Sequence, residues 1–90
     1  MKWTINYSRD ARRFFEKEDI YAKVTEELRK FLTKTRGEDI NIDVKKLKGD
    51  WKGYYRLRKG KLRIIFDVDF NNKLLFVEKI DFRGNIYKQP

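Results

Sequence analysis

The sequence contains no cysteine and no histidine among its 90 residues. Without cysteine, the chain can form no disulfide framework and offers no thiol nucleophile. Without histidine, it lacks the side chain that most often transfers protons near neutral pH. Its apolar runs are far too short to cross a bilayer, and no segment resembles a signal peptide. These absences favour a cytoplasmic protein without a membrane partner.

Internal repeats, low-complexity segments and interdomain linkers are also missing from the sequence. A chain of this length can bury roughly 60–65% of the surface that it exposes when unfolded, which is enough to fold unaided. We therefore expect a single domain over residues 1–90.

What the sequence has in excess is positive charge, +9 in total. Residues 1–44 contain ten Lys or Arg and nine Asp or Glu, a net charge of +1, whereas residues 45–90 contain thirteen and five, a net charge of +8. A basic surface confined to one half of a protein indicates a phosphate backbone or an acidic protein as its partner. The alternative is that these cations only keep a small protein soluble.

The N-terminal half combines one strand pattern with two helical patterns. A half-buried strand is predicted by apolar residues at every second position, Trp3, Ile5 and Tyr7. Ser8 can cap the helix that follows, the polar residues 16–19 mark a break, and a second helix ends near Gly37. We interpret residues 38–50 as a connector.

Residues 51–63, WKGYYRLRKGKLR, predict a β-hairpin that turns at Lys59-Gly60. Because side chains alternate between the two faces of a strand, the predicted hairpin has one apolar and one basic face. The apolar face holds Tyr55, Leu57, Leu62 and Ile64. The basic face holds Arg56, Arg58, Lys61 and Arg63, with Arg56 opposite Arg63. Like charges opposite each other destabilise a hairpin, so the cluster indicates an anionic ligand.

The last two strands are predicted to be joined by a three-residue turn that ends at Asn72, in the left-handed conformation. In the resulting register, Arg63 faces Lys79. Arg83 then continues the basic face, and Tyr87 lies just beyond it.

The pattern LKGDWKGYYRLRKGKLRIIF at 47–66, followed by a strand and by RGNIYK at 83–88, resembles the RelE branch of the RelE/ParE toxin superfamily. The resemblance covers the whole chain in the order of its elements. It implies an α+β fold like that of microbial ribonucleases: an N-terminal strand, a two-helix hairpin and a three-stranded antiparallel meander, with the helices packed on one face of the sheet.

The resemblance also implies a function. RelE-like toxins enter the ribosomal A site and cut the mRNA there by attack of its 2′-hydroxyl, which stops translation. The partners implied are mRNA, ribosomal RNA and a cognate antitoxin, RelB-like or other.

Site residues follow from the same resemblance. The pair that grips phosphate falls on Arg56 and Arg58, and the catalytic residues fall on Arg63, Arg83 and Tyr87. We expect Lys52 and Lys61 to bind RNA phosphates too, and a more diffuse contact with ribosomal RNA is expected from Lys45, Lys46 and Lys48.

Cleavage of RNA needs a proton removed from the 2′-oxygen, the anionic transition state stabilised and a proton given to the 5′-oxygen. Arginine does not titrate near neutral pH, and histidine is absent. We therefore expect the arginines to stabilise the transition state and Tyr87, its phenol acidified by neighbouring cations, to transfer a proton. The sequence has no cluster with the spacing of metal ligands, so neither a metal nor another cofactor is implied.

The competing hypothesis is a binder without enzymatic activity, either a ParE-like gyrase inhibitor or a basic RNA-binding module. A gyrase inhibitor has no need of arginines arranged around a phosphate with a tyrosine beside them. Arg63, Arg83 and Tyr87 together therefore favour the endonuclease.

Overall fold

A computed structural model of the chain describes residues 2–82, in which two helices pack against a mixed β-sheet. The elements follow in the order β1 (Thr4–Tyr7), α1 (Arg9–Lys17), α2 (Tyr21–Thr35), β2 (Asp43–Lys46), a short 3-10 helix (Gly49–Trp51), β3 (Tyr55–Lys59), β4 (Leu62–Asp69) and β5 (Leu74–Phe82). The strands lie in the sheet in the order β1-β5-β4-β3-β2. Strand β1 is parallel to β5, and each of the other neighbouring pairs is antiparallel. The predicted α+β class is confirmed.

Ser8 joins the start of α1 to the sheet. Its side-chain oxygen accepts a hydrogen bond from the Ala11 N–H (3.1 Å), as expected of a helix cap. Its hydroxyl donates to the carbonyl oxygen of Glu78 in β5 (2.6 Å). The other predicted helix boundary also holds, because Gly37 has a φ of 98° and donates its N–H to the carbonyl of Lys34 (3.0 Å) just beyond α2.

The hydrophobic core fills the space between the helices and one face of the sheet. Leu28 and Phe31 of α2 meet Leu57, Ile64 and Phe66, which lie in β3 and β4. The rings of Phe31 and Phe66 pack edge to face with centroids 4.9 Å apart. Burial of each such side chain stabilises the fold by about 1.5–3 kcal/mol. Ala11 of α1 belongs to the same core, so both helices cover the same face of the sheet.

The interpretation of residues 38–50 as a connector was wrong, because residues 43–46 form β2. Strand β2 pairs antiparallel with β3, placing Val44 beside Leu57. Ile42 and Val44 pack against the core while Asp43 is exposed, which is the alternation of a half-buried strand. The meander consequently has four strands instead of three, and β2 is an edge of the sheet.

The hairpin of β3 and β4 forms as predicted but turns one residue later. Its turn residues are Gly60 and Lys61, and Gly60 takes a φ of 61°. Arg58 therefore faces Arg63, and Arg56 faces Ile65. The new register moves each partner by two positions, so the strand residues stay on their predicted faces. Only Lys61 leaves the basic face, because it now lies in the turn.

The turn between β4 and β5 also differs from the prediction. The residue with positive φ is Lys73, at 54°, and not Asn72. The Asn72 side chain instead donates from Nδ2 to the Asp69 carboxylate (2.7 Å), as asparagine and aspartate often do in turns.

The predicted register between β4 and β5 was wrong as well. Arg63 faces Asp81, whereas Lys79 faces Ile65. The register shifts by one residue in mid-strand, where Glu78 is passed over in the pairing. This β-bulge allows Leu75 and Val77 before it and Ile80 and Phe82 after it to pack against the same core.

Candidate nucleic-acid interface

Three arginines lie side by side on the face of the sheet turned away from the helices, and we call them the arginine cluster: Arg56, Arg58 and Arg63. They are brought together by the β3–β4 hairpin, whose core face takes the intervening Leu57 and Ile64. The clustering was predicted correctly, but the facing pair is Arg58 and Arg63, and not Arg56 and Arg63. The difference follows from the later turn.

The members of the arginine cluster differ in burial. Arg56 and Arg63 are each 8% exposed, whereas the Arg58 side chain is 48% exposed. A buried guanidinium has lost water, so it needs protein acceptors or a counter-charge. Arg63 Nη1 donates to the carbonyl oxygens of Gly60 (2.6 Å) and Leu62 (3.1 Å). These hydrogen bonds fix its guanidinium beside the hairpin turn.

Asp43 of β2 links the two arginines of β3. Its Oδ1 accepts from Arg56 Nη2 (3.0 Å), and its Oδ2 accepts from Arg58 Nε (2.6 Å). The hydrogen bond from Arg58, together with the positive charges of Arg56, Arg58 and Arg63, holds the pKa of the Asp43 carboxyl below its usual value. Asp43 is therefore an anion throughout the physiological pH range.

Asp43 is the site residue that sequence reasoning missed. It was assigned to the connector, although Ile42 and Val44 alternate with Asp43 and Lys45 in the way that indicates a strand. Treating that alternation as a strand beside β3 would have placed a carboxylate next to the arginines.

One nitrogen of the arginine cluster is poorly satisfied. Arg56 Nε is buried, and among residues 2–82 it has no hydrogen-bond partner. An unmet donor of a buried cation costs free energy. Because this nitrogen is buried, a ligand would have to reach Arg56 through Nη2, which bonds to Asp43.

The predicted lysine contacts divide into separate places. Lys46, Lys48 and Lys52 line an open groove of about 550 Å³ at the β2 edge, together with Gly49 and Gly53, and we call it the lysine groove. Lys46 also lies over the ring of Tyr55, with its Nζ 5.8 Å from the centroid.

The two remaining lysines lie outside the lysine groove. Lys45 is exposed opposite Arg56, next to the arginine cluster. Lys61 is exposed in the hairpin turn. Lys45 and Lys61 thus lie near the arginine cluster, whereas Lys46, the cross-strand partner of Tyr55, lies on the helix side of the sheet at its edge.

Arg83 and Tyr87 lie outside the described residues, so their roles stay predictions. A different tyrosine, Tyr54, precedes β3, and its ring packs edge to face on Trp51 with centroids 5.4 Å apart. Burial raises the pKa of the Tyr54 phenol, and the nearby carboxylates Glu78 and Asp67 raise it further. Tyr54 is thus protonated at neutral pH and is poorly placed to release a proton.

Within residues 2–82, no three acidic side chains come close enough together to hold a metal ion. Some of the carboxylates there are paired with cations, as Asp43 is with the arginine cluster and Asp10 is with Lys79 (3.4 Å). The same part of the chain has no helix that is long and apolar enough to span a membrane.

The fold is shared with solved structures of toxins. The RelBE2 toxin–antitoxin complex of Mycobacterium tuberculosis contains a chain that matches with a TM-score of 0.69 and 22% identity, covering 92% of this chain and 100% of that one. A chain of the archaeal RelE–RelB complex of Pyrococcus horikoshii matches with a TM-score of 0.67 and 24% identity, covering 94% of this chain and 99% of that one. A chain of the YoeB–YefM complex of Staphylococcus aureus matches with a TM-score of 0.69 and 22% identity, covering 92% of this chain and 99% of that one.

The similarity in sequence covers a smaller part of the chain than the similarity in fold. No family model matches the chain. A protein named "Putative toxin RelE1", from Methanocaldococcus jannaschii, is 37% identical over 49 residues, which are 54% of this chain and 53% of that protein. The match thus spans about half the length of the relative. Together with the shared fold, it confirms the resemblance to RelE-like toxins that the sequence indicated.

Proposed function

The chain has the fold of the RelE-like toxins, and we propose on this premise that it is the toxin of a toxin–antitoxin system and cleaves mRNA on the ribosome. The observation that carries the proposal is the arginine cluster, in which three arginines of one hairpin lie together on the face of the sheet turned away from the helices. Such a concentration of fixed positive charge matches a phosphate that gains negative charge during reaction. We place this activity in the cytoplasm, where mRNA is translated.

In the proposed reaction, the RNA 2′-oxygen attacks the neighbouring phosphorus atom and loses its proton, while the 5′-oxygen leaves and gains one. Arg56 and Arg58 hold the non-bridging oxygens of the phosphate. Arg63 stabilises the charge that develops on the phosphorane. Tyr87 transfers one of these two protons and solvent water transfers the other, and Arg83 adds to the positive charge. No metal ion takes part, since guanidiniums supply the charge that a metal would provide.

The predicted lysine contacts serve binding and not chemistry. The lysine groove, with Lys45 and Lys61 on either side of the arginine cluster, contacts the phosphates of ribosomal RNA and mRNA. These contacts are not specific for sequence, so they orient the protein in the A site and leave the choice of codon to other groups.

We also propose an antitoxin as the protein partner. The M. tuberculosis, P. horikoshii and S. aureus neighbours are each complexes of a toxin with its antitoxin. For this chain, the antitoxin segment would bring carboxylates to the arginine cluster or displace an element beside it. Such a complex forms tightly and weakens as salt is added. If the chain accumulates alone in healthy cells, without a partner and without harm, the proposal of a toxin is wrong.

The decisive experiment maps mRNA cleavage on programmed ribosomes. Wild-type protein should cut mRNA within the A-site codon, and Tyr87→Phe, which removes only a hydroxyl, should cut more slowly while binding the ribosome equally well. DNA gyrase is assayed in parallel. Intact mRNA together with inhibited supercoiling would support a ParE-like inhibitor instead, and RNA binding without either effect would support a plain RNA-binding module.

A further inference from the structure

The Asp43 carboxylate lies where the proposed substrate phosphate would bind. Each of its two oxygens accepts from a different arginine of β3, Oδ1 from Arg56 Nη2 at 3.0 Å and Oδ2 from Arg58 Nε at 2.6 Å. The arrangement follows from the backbone, because Asp43 is the cross-strand partner of Arg58.

Two arginines that share a carboxylate are also arranged to share a phosphate. Both anions present oxygens that accept from guanidinium N–H groups in the same forked geometry. A phosphodiester cannot accept from Arg56 Nη2 and Arg58 Nε in the direction that Asp43 occupies until the carboxylate has left. The two anions therefore compete for the same donors.

The ion pair between Asp43 and Arg58 can be exchanged for a contact with another anion. The Asp43 side chain is 42% exposed and that of Arg58 is 48% exposed, so water screens their attraction. Asp43 begins β2, a four-residue strand at the sheet edge, and its side chain can rotate into solvent without moving the core. Arg56 behaves differently because its side chain is only 10% exposed. It stays in place, and a buried guanidinium in this position is stabilised by whichever anion is present.

We propose that Asp43 acts as a built-in substitute for the substrate phosphate: it neutralises Arg56 and Arg58 in the free protein and is displaced when RNA binds. The identity of the ligand rests on the proposed function, whereas the exchange of anions rests on the geometry alone. Asp43 is accordingly a residue that sets affinity, and it takes no part in bond making.

The proposal separates binding from catalysis. Displacing Asp43 costs the same free energy whether the bound phosphate is in its ground state or in its transition state. Removing the negative charge should therefore tighten binding and lower KM, while the rate at saturation stays close to that of the wild type. If Asp43 instead only shaped the site, its removal would leave the arginines misdirected and would lower the rate as well.

The test compares Asp43→Asn with Asp39→Asn. Both substitutions replace one exposed carboxylate by an isosteric amide and raise the net charge by one, but Asp39 lies in the segment before β2 and outside the cluster. The probe is a single-stranded RNA with 2′-O-methyl groups, which cannot be cleaved, titrated at fixed salt. Asp43→Asn should bind about three- to tenfold more tightly than Asp39→Asn, the range expected for the loss of competing exposed ion pairs. Equal or weaker binding would overturn the proposal.

A second measurement uses the unaltered chain and so does not depend on how the variant folds. The carboxyl carbon of Asp43 and the Nε–H group of Arg58 are followed by NMR while the same RNA, or inorganic phosphate, is added. Displacement should move the Asp43 signal toward that of a solvated carboxylate, and an Asp43 signal that stays unchanged in the RNA-bound protein overturns the proposal.

The two titrations keep this proposal distinct from the proposed function. If phosphate displaces Asp43 but the protein neither binds nor cuts RNA, the exchange stands and the endonuclease fails. If RNA is bound and cut while Asp43 keeps its arginine contacts, the endonuclease stands and the exchange fails.

Discussion

Arg58 and Arg63 lie directly opposite each other in β3 and β4, so the hairpin sets two like charges in the position where they repel most. On its other side, Arg58 faces Asp43 of β2. The negative charge of Asp43 on the neighbouring strand thus offsets the repulsion between Arg58 and Arg63. Asp43 is also the residue that, in our proposal, a substrate phosphate replaces. A hairpin of this composition is more stable with an anion beside it than without one.

Binding of single-stranded RNA should weaken steeply as salt is added, because each phosphate contact contributes about −0.7 to the slope of log affinity against log salt. Arg58→Gln should make the slope shallower by about one such contact. Lys23→Gln removes the same charge from an exposed position on α2 and should leave the slope nearly unchanged. Anisotropy titrations at several salt concentrations provide the measurement. A slope near zero for the wild type would show that the basic half does not bind phosphates.

Arg63→Ala should reduce single-turnover cleavage on the ribosome about a hundredfold or more, since it removes charge that acts mainly in the transition state. Ribosome binding should change little. Arg63 also donates to the Gly60 carbonyl, so thermal unfolding of the variant must be measured alongside. Lys61→Ala, in the same turn, serves as the control for loss of a nearby charge. Cleavage at the wild-type rate by fully bound Arg63→Ala would remove Arg63 from the active site.

Replacing the three cations of the lysine groove by glutamine, at Lys46, Lys48 and Lys52, should weaken ribosome binding and leave the cleavage rate of the bound protein nearly intact. The matched control is a triple substitution of exposed helix lysines, Lys17, Lys23 and Lys34. Because both variants lose three charges, a difference between them reports the position of the charge and not its amount. Equal weakening by both would mean that the ribosome senses only the net charge.

Phe66→Ala should lower the free energy of unfolding by about 3–5 kcal/mol, the usual cost of emptying a buried aromatic site. Phe66 is fully buried and packs against Phe31 and Tyr55. Phe70→Ala makes the same chemical change at a side chain that is 48% exposed, and it should cost about 1 kcal/mol or less. Urea titrations of both variants measure the two values. Similar losses would mean that the core between the sheet and α2 is packed differently from the structure.

Stability should fall in alkali because of Tyr7. Burial raises the pKa of its phenol to about 12, from 10.0 in an unfolded chain. The neutral phenol is therefore favoured by folding, and this stabilising contribution is complete below pH 10 and is lost as the pH rises toward 12.

Tyr7→Phe tests this prediction. The variant should show a smaller loss of stability between pH 10 and 12, measured by urea unfolding. At neutral pH the variant should lose only about 0.5–1.5 kcal/mol, because the hydroxyl that it removes interacts with the uncharged side chain of Tyr21 and makes at most one hydrogen bond there. An unchanged loss of stability between pH 10 and 12 in the variant would contradict the assignment of this pH dependence to Tyr7.

Sequence patterns were sufficient to predict which side chains share a face in the central hairpin. Strand side chains alternate with a period of two, so an error of two positions in the pairing leaves Arg56, Arg58 and Arg63 on one face. The turn itself was misplaced because both Lys59-Gly60 and Gly60-Lys61 offer a glycine at a two-residue turn. The cluster was thus predictable, while its facing pair was not.

The features that could not be predicted depend on contacts between distant parts of the chain. Strand β2 is short and rich in lysine, and it is a strand because β3 lies beside it. The bulge at Glu78 changes the register with β4 so that the core residues of β5 on both sides of it pack on one face. The alternation around Asp43 indicates a strand, but it does not say which strand lies beside it, and the bulge has no local signal. Asp43 was missed for this reason, since its role appears only once β2 and β3 are paired.

Because β1 pairs with β5, the sheet cannot form completely until the last strand has been synthesised. Thr4 pairs with Leu74, and the Ser8 hydroxyl bonds to the carbonyl of Glu78, 70 residues later in the sequence. The first strand therefore has no partner until nearly the whole chain has been synthesised, and contacts between distant residues form slowly. A chain that stops before β5 leaves β1 without its neighbour in the sheet and part of the core uncovered. Premature termination of synthesis should accordingly yield an unfolded and harmless fragment, and not a partly active one.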